Sequence, residues 1–200
     1  ADKGQYVTFS KLQNLGDVQL MTAAEVFFLR AEAALRGWSG TGGTAKSLYE
    51  SGIKISFGQY GASGADAYLA NNIAKPIPYV DPNNATNNVN SGDKNLSTIT
   101  VAFNDADPFE TKLEKIITQK WISVFPDGQE AWSEYRRTGY PKLFPVVINN
   151  SGGTIDTDKQ VKRVKFINSE YAQNPKGVAI GVQCLKGPDN GGTALWWDID

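Results

Sequence analysis

Residues 130–141 read EAWSEYRRTGYP and bring two glutamates and two arginines together with aromatic side chains. Glu130 and Glu134 are one helical turn apart, and a pair of carboxylates is the equipment for acid/base chemistry on a glycosidic bond. Such an acid needs a raised pKa, whereas Arg136 and Arg137 beside it pull carboxylates down. Glu130 also completes a capping pattern with Asp127. The expectation is therefore structural. Trp132, Tyr135 and Arg136 share one helix face, the two rings pack against the preceding helix, and Arg136 stacks on Trp132. Glu134 pairs with Arg137 at i, i+3, Gly139 ends the helix and Pro141 prevents its continuation. Catalysis here is outweighed by a helix fixed into a core.

The rest of the chain supplies few other catalytic groups. There is no histidine, which removes Ser-His-Asp and Cys-His catalysis and His-bearing zinc sites. Cys184, the single cysteine, has no activating neighbour in sequence and is read as a buried, inert thiol. Twenty basic against 21 acidic residues leave no electrostatic footprint for nucleic acid. Asp81, Asp93, Asp105 and Asp107 lack the D-x-D-x-D-G spacing of a calcium loop, so no metal and no cofactor are assigned. No apolar run approaches the roughly 20 residues of a membrane span. The chain starts at Ala1 and its sole methionine is Met21, as in a processed secreted protein or an internal fragment.

The elements that position these residues are mainly helical. Thr22 and Glu25 form a T-x-x-E capping box, with Met21 and Val26 at the staple positions and Gly37 at the C-terminus, for a helix over 22–36. After the connector WSGTGG, Ala45, Leu48, Tyr49, Gly52, Ile53, Ser56, Phe57 and Tyr60 make one stripe of a second helix. Ser63 and Asp66 suggest a capping box for a short third helix over 64–72. Asp107, Pro108 and Glu110 read as N-cap, N1 and N3 of a further helix, whose apolar face is Leu113, Ile116, Ile117, Trp121, Val124 and Phe125. Hairpins at about 22–60 and 107–138 are thus predicted, the unit of tetratricopeptide-type repeats. Between them, 73–106 is a long loop rich in Pro, Asn, Gly and Asp, within which LSTITVAF (96–103) is either a strand or a helical turn. Residues 145–200 form an irregular C-terminal segment of short strands or extended loops.

Three stretches together carry a resemblance: LMTAAEVFFLRAEAALRGW, AKSLYESGIKISF and IITQKWISVFPDGQEAWSEYRRTGYPKLFP. With RVKFINSEYAQNP and the terminal LWWD, they resemble the C-terminal half of the SusD/RagB family, in the family's order over most of residues 15–200. The resemblance implies a SusD-like α/α superhelical scaffold of helical hairpins with long irregular loops and little strand, residues 1–200 being the C-terminal part of one domain. It further implies a lipid-anchored, surface-exposed protein of the Bacteroidetes outer membrane, its anchor outside this chain. Such proteins capture nutrient oligosaccharides, or in some branches peptides, without catalysis, and pass them to a SusC-like TonB-dependent transporter. The alternatives are a helical-repeat module that binds only proteins and, more remotely, a surface glycosidase.

Glycan capture uses aromatic platforms and amide hydrogen bonds. The tryptophans are expected to pack: Trp121 and Trp132 on apolar helix faces, Trp38 beside a helix end, and at most one of Trp196 and Trp197 facing inward. That leaves the long loop, and Tyr79, Asn83, Asn84, Asn87 and Asn88 are the expected ligand-binding residues, set against an ordinary solvated loop.

Overall fold

The computed structural model describes residues 20–198. Among them lie seven α-helices, one 3-10 turn and no β-strand, so the protein is mainly α, as expected. In chain order the helices are α1 (Ala23–Leu35), α2 (Ala45–Gln59), α3 (Ala65–Leu69), α4 (Phe109–Ser123), α5 (Gly128–Thr138), α6 (Asn168–Gln173) and α7 (Pro175–Gln183).

Local chemistry sets the helix ends. Thr22 caps α1 by accepting the N–H of Glu25, and Thr44 and Ser47 form a reciprocal capping box at α2. Asp127 caps α5, accepting from the N–H groups of Gln129 and Glu130, and Gly139 ends it at φ +71°. Four expected caps differ, one being Glu130, whose carboxylate turns to Lys120. Glu25 does not fold back onto its cap but turns toward Lys120 on α4. Gly64, not Ser63, stands at the start of α3, which ends at Leu69, while Asp66 pairs with Lys54. Pro108 takes the N-cap place of α4, and Asp107 instead bonds the Lys115 ammonium at 2.8 Å. In each case a cation within reach holds a carboxylate more strongly than a backbone amide does.

α1 packs along α2 and along α4, and their meeting faces make the core. Phe28 of α1, Tyr49 and Ile53 of α2, and Ile116 and Ile117 of α4 are sealed from solvent. Tyr49 is edge-on to Phe28 and tilted against Phe103 of the long loop, and its hydroxyl donates to the Val101 carbonyl at 2.8 Å. α2 approaches α1 so closely because residue 52 is glycine: a Cβ there would meet the Phe28 ring at 2.8 Å. Gly52→Ala is therefore expected to destabilise by roughly 1–2 kcal/mol, overpacking outweighing alanine's better helix propensity. Urea unfolding measures it; a stabilised variant would mean that the Phe28 ring can move aside.

The second hairpin is a looser unit than the first, since α5 packs only slightly on α4. Trp132 and Tyr135 turn away from α4, against expectation. The Trp132 indole donates to the Val161 carbonyl at 2.9 Å and the Tyr135 hydroxyl to that of Asp158. Arg136 does stack on Trp132, 3.7 Å from the ring, and Trp197 lies on it at 5.0 Å. α5 is thereby clamped to the C-terminal segment, and of the terminal tryptophans it is Trp196 that faces solvent. That segment forms no strand among the described residues, but against expectation it carries the helices α6 and α7, and it is pinned by Lys162–Asp198 and by Asp189 with Arg163 and Tyr171.

Other corrections concern exposure. Trp38, Trp121 and Phe125 were expected to pack but stand exposed, and Cys184 is exposed rather than buried. Met21 and Val26, the expected staple, are exposed too. α4 enters the core through Leu113, Ile116 and Ile117, whereas Trp121 and Ile122 further along it are exposed.

Candidate functional site

The long loop is strapped down at both ends. The N–H of Ala102 donates to the Asn71 carbonyl at 2.9 Å, Ser97 donates to Glu114, and the Lys115 ammonium donates to the Ala102 carbonyl at 2.7 Å. LSTITVAF resolves into neither strand nor helix: its carbonyls and hydroxyls bond side chains of α2 and α4 instead of a neighbouring strand. Val89 and Leu96 anchor the loop's middle through burial, and Lys94 ties it to Asp158.

The five expected ligand residues come together in the bend between Tyr79 and Val89, which exchange a pair of backbone hydrogen bonds at 3.0 Å. At its centre is Asp81. One carboxylate oxygen accepts the backbone N–H groups of Asn83 and Asn84 at 2.8 and 2.9 Å, and the other accepts the Asn87 amide at 3.0 Å. The N–H of Asp81 donates in turn to the Asn88 side-chain carbonyl at 2.8 Å. Asn84 caps the 3-10 turn Ala85–Asn87, accepting from Thr86. Asn84, Asn87 and Asn88 thus spend part of their hydrogen-bonding capacity on the loop itself. The side-chain amide oxygen of Asn87 is buried without a partner.

Tyr79 stacks on Phe144, ring centroids 5.7 Å apart and planes 30° from parallel, and Phe144 is exposed. The result is an aromatic pair beside a rim of amides, and both Asp81 and Phe144 were missed in the sequence. Asx-turn geometry at DPNN signals Asp81; nothing in the local sequence signals Phe144, which arrives from beyond α5. Asp81→Ala is expected to speed hydrogen exchange at Asn83 and Asn84 about tenfold or more, each lost bond being worth ~1 kcal/mol. Unchanged exchange there would show that the bend holds without its hub.

The carboxylates of α5 serve another purpose. The buried Lys120 ammonium is held by Glu130 and, at 2.9 Å, by Glu134, with Glu25 at 3.6 Å. Arg137 extends the network, bonding Glu134 at 2.7 Å and both oxygens of Glu32 at 2.7 and 2.6 Å. Lys120 was also missed, although it sits in the stripe Leu113, Ile116, Ile117, Val124, where a lone cation announces buried anions. Glu130 and Glu134 converge on a lysine in the interior, an arrangement that gives no acid/base pair facing a substrate.

Among the described residues, no group of three or more His, Cys, Asp or Glu side chains is placed to hold a metal ion. No helix among them is long and apolar enough to cross a membrane.

Comparison with known proteins gives consistent matches. A family model described as SusD-like, Susd and RagB outer membrane lipoprotein, matches residues 2–198. A chitin-binding SusD homolog from Flavobacterium johnsoniae is 59% identical, over 90% of this chain and 36% of that one, with a TM-score of 0.83. A SusD homolog from Bacteroides uniformis is 48% identical, over 92% of this chain and 37% of that one, with a TM-score of 0.83. A SusD-like protein from Bacteroides thetaiotaomicron is 42% identical, over 90% and 37% respectively, with a TM-score of 0.82. No curated protein matches. The chain spans a little over a third of the length of these solved relatives.

Proposed function

Because this chain belongs to the SusD/RagB family of outer membrane lipoproteins, we propose that the whole protein captures nutrient oligosaccharides and passes them to a SusC-like TonB-dependent transporter. Family membership also locates it at the outer membrane. In this reading residues 1–200 form the C-terminal part of one domain, and the protein binds its ligand without cleaving it. The observation that carries the reading is the 59% identity to a chitin-binding homolog across 90% of the chain. Chitin-type oligosaccharides, with apolar ring faces and acetamido groups, are accordingly the ligand class proposed.

The loop bend suits that chemistry. The Tyr79–Phe144 pair supplies an aromatic surface for a sugar face, and Asn83, Asn84, Asn87 and Asn88 supply amides for hydroxyl and acetamido groups. Internal bracing by Asp81 reduces the ordering cost of binding. Within this stretch the non-catalytic reading is supported by Glu130 and Glu134 facing Lys120 rather than a cleft.

Titration of the full-length protein with N-acetylglucosamine oligomers is expected to saturate with a Kd between about a millimolar and a micromolar. Tyr79→Ala should weaken binding at least about tenfold, the scale of a lost aromatic contact. Undiminished binding by that variant would move the site off this loop. Chromatography after prolonged incubation should return the oligomer intact; shorter products that vanish with a single carboxylate substitution would make the protein an enzyme.

A further inference from the structure

Beyond α5 the chain folds around a cavity of about 360 Å³, lined by loop residues alone. Val146, Ile148, Ile155 and Val161 give it apolar walls, and Asn150, Asp156 and Gln160 give it polar ones. The frame is braced from within. The Asn149 amide donates to the Ile155 carbonyl at 2.7 Å and to the Thr157 hydroxyl at 3.1 Å, and the N–H of Ile155 donates to the Ser151 hydroxyl at 3.1 Å. One Asp156 oxygen accepts the N–H groups of Asp158 and Lys159 at 2.8 and 2.9 Å. A frame already held this way costs little further ordering when a ligand enters it.

Other groups in the wall are uncommitted. The side-chain amides of Asn150 and Gln160 bond no group among the described residues, and the second Asp156 oxygen is left over from its turn. Among the described residues Gln160 is also the only non-glycine at positive φ, +56°. A glutamine there is strained, and strain of this kind is retained where the position of the side chain matters. Free amides and a carboxylate oxygen beside an apolar wall suit a ring with hydroxyls on its edge and C–H groups on its face. No lysine or arginine lines the cavity, so an anion would find no counter-charge in its wall.

The cavity adjoins the loop bend. Phe144, Val146 and Ile148 are alternate residues of one stretch: Phe144 stacks on Tyr79, while Val146 and Ile148 line the cavity. Two residues of chain span at most about 7 Å, and Lys94 of the long loop bonds Asp158, beside the cavity, at 2.6 Å. We propose that this cavity is a second subsite, which takes an uncharged sugar residue further along the same oligosaccharide that rests on the Tyr79–Phe144 pair. Asn150 and Gln160 bind the polar edge of that residue. The proposal rests on the glycan reading and adds to it a dependence on chain length, since only an oligomer long enough to leave the aromatic pair reaches Gln160.

The test is titration of the full-length protein with the dimer and the hexamer of N-acetylglucosamine. The parent should bind the hexamer at least about tenfold more tightly, the scale of one or two added hydrogen bonds. Gln160→Gly combined with Asn150→Ala should remove most of that advantage while changing dimer affinity by less than about twofold, because the dimer is held at the aromatic pair. Tyr79→Ala, by contrast, should weaken both lengths. Glycine relieves the backbone at position 160, so the double variant should melt close to the parent. If it does not fold, Asn150→Ala alone, at an exposed side chain with no bond to lose, makes the same comparison. Equal losses for the two lengths, no loss for either, or a parent that does not favour the hexamer overturn the second subsite and leave the glycan reading standing. A parent that binds neither oligomer overturns both.

Discussion

Lys120→Ala is expected to lower the unfolding free energy by about 3–5 kcal/mol, the cost of breaking a buried ion pair by removing one partner. The ammonium is sealed from solvent and is the cation on which Glu25, Glu130 and Glu134 converge. Without it, Glu134 keeps only Arg137, and Glu25 faces Glu130 with no cation between them. Chemical denaturation at pH 7 measures the loss. A loss under about 1 kcal/mol would show that the carboxylates swing out to water.

Acid acts on the same network with two opposite signs. Burial raises Glu32, but the Arg137 and Arg36 bonds outweigh it and hold the carboxyl below its ordinary value. A depressed carboxylate stabilises the fold above its unfolded value, and the contribution drains away as pH falls through the folded one. Glu25 runs the other way: burial lifts it more than Lys120 lowers it, so its contribution is full below the unfolded value and is lost as pH rises through the folded one. Glu25→Gln should therefore leave a steeper loss of stability on acidification than the parent shows. A shallower one would mean that Glu25 is net stabilised by its lysine.

Tyr49→Ala is the other large expected effect, about 3–5 kcal/mol for truncating a fully buried aromatic. The ring joins Phe28 of α1 to Phe103 of the long loop, so the cavity would open where three segments meet. Tyr49→Phe separates packing from polarity. It keeps the ring but leaves the Val101 carbonyl without its donor, for about 1–2 kcal/mol. The two variants should also differ in place: Tyr49→Phe should speed exchange mainly around Val101, while Tyr49→Ala lowers global stability. Equal effects would mean that the hydroxyl, not the ring, holds the joint.

What the sequence discloses, and what it withholds, follow from the range of the interactions. Thr22, Thr44, Asp127 and Gly139 act within a few residues of themselves, so spacing alone locates their helix ends. The stripe Leu48, Tyr49, Gly52, Ile53 likewise names its own buried face. Destinations of charged and aromatic side chains are set by distant neighbours. Glu25 and Glu130 have the spacing of capping residues but lie within reach of Lys120, and an ammonium outcompetes an amide. Trp132 shares its face with Arg136 as expected, yet that face turns from α4 to Val161, 29 residues ahead. Tyr79 has the same history: its place in the loop is legible, but its stacking partner Phe144 is not.

The tie between Arg137 and Glu32 crosses 105 residues of chain, and this sets an order of events during synthesis. α1 and α2 can close over Phe28 and Gly52 as soon as both exist. Glu32 then has only Arg36, four residues on, until translation at ~5–20 residues per second delivers Arg137 about 5–20 s later. Lys120 arrives earlier and can neutralise Glu25, but its other two glutamates emerge only with α5. Even then α5 has nothing to hold its aromatic face until Val161 and Trp197 follow. The first hairpin thus closes with its acids only partly neutralised, and the network that buries Lys120 is completed only once α5 and the segment that clamps it have emerged.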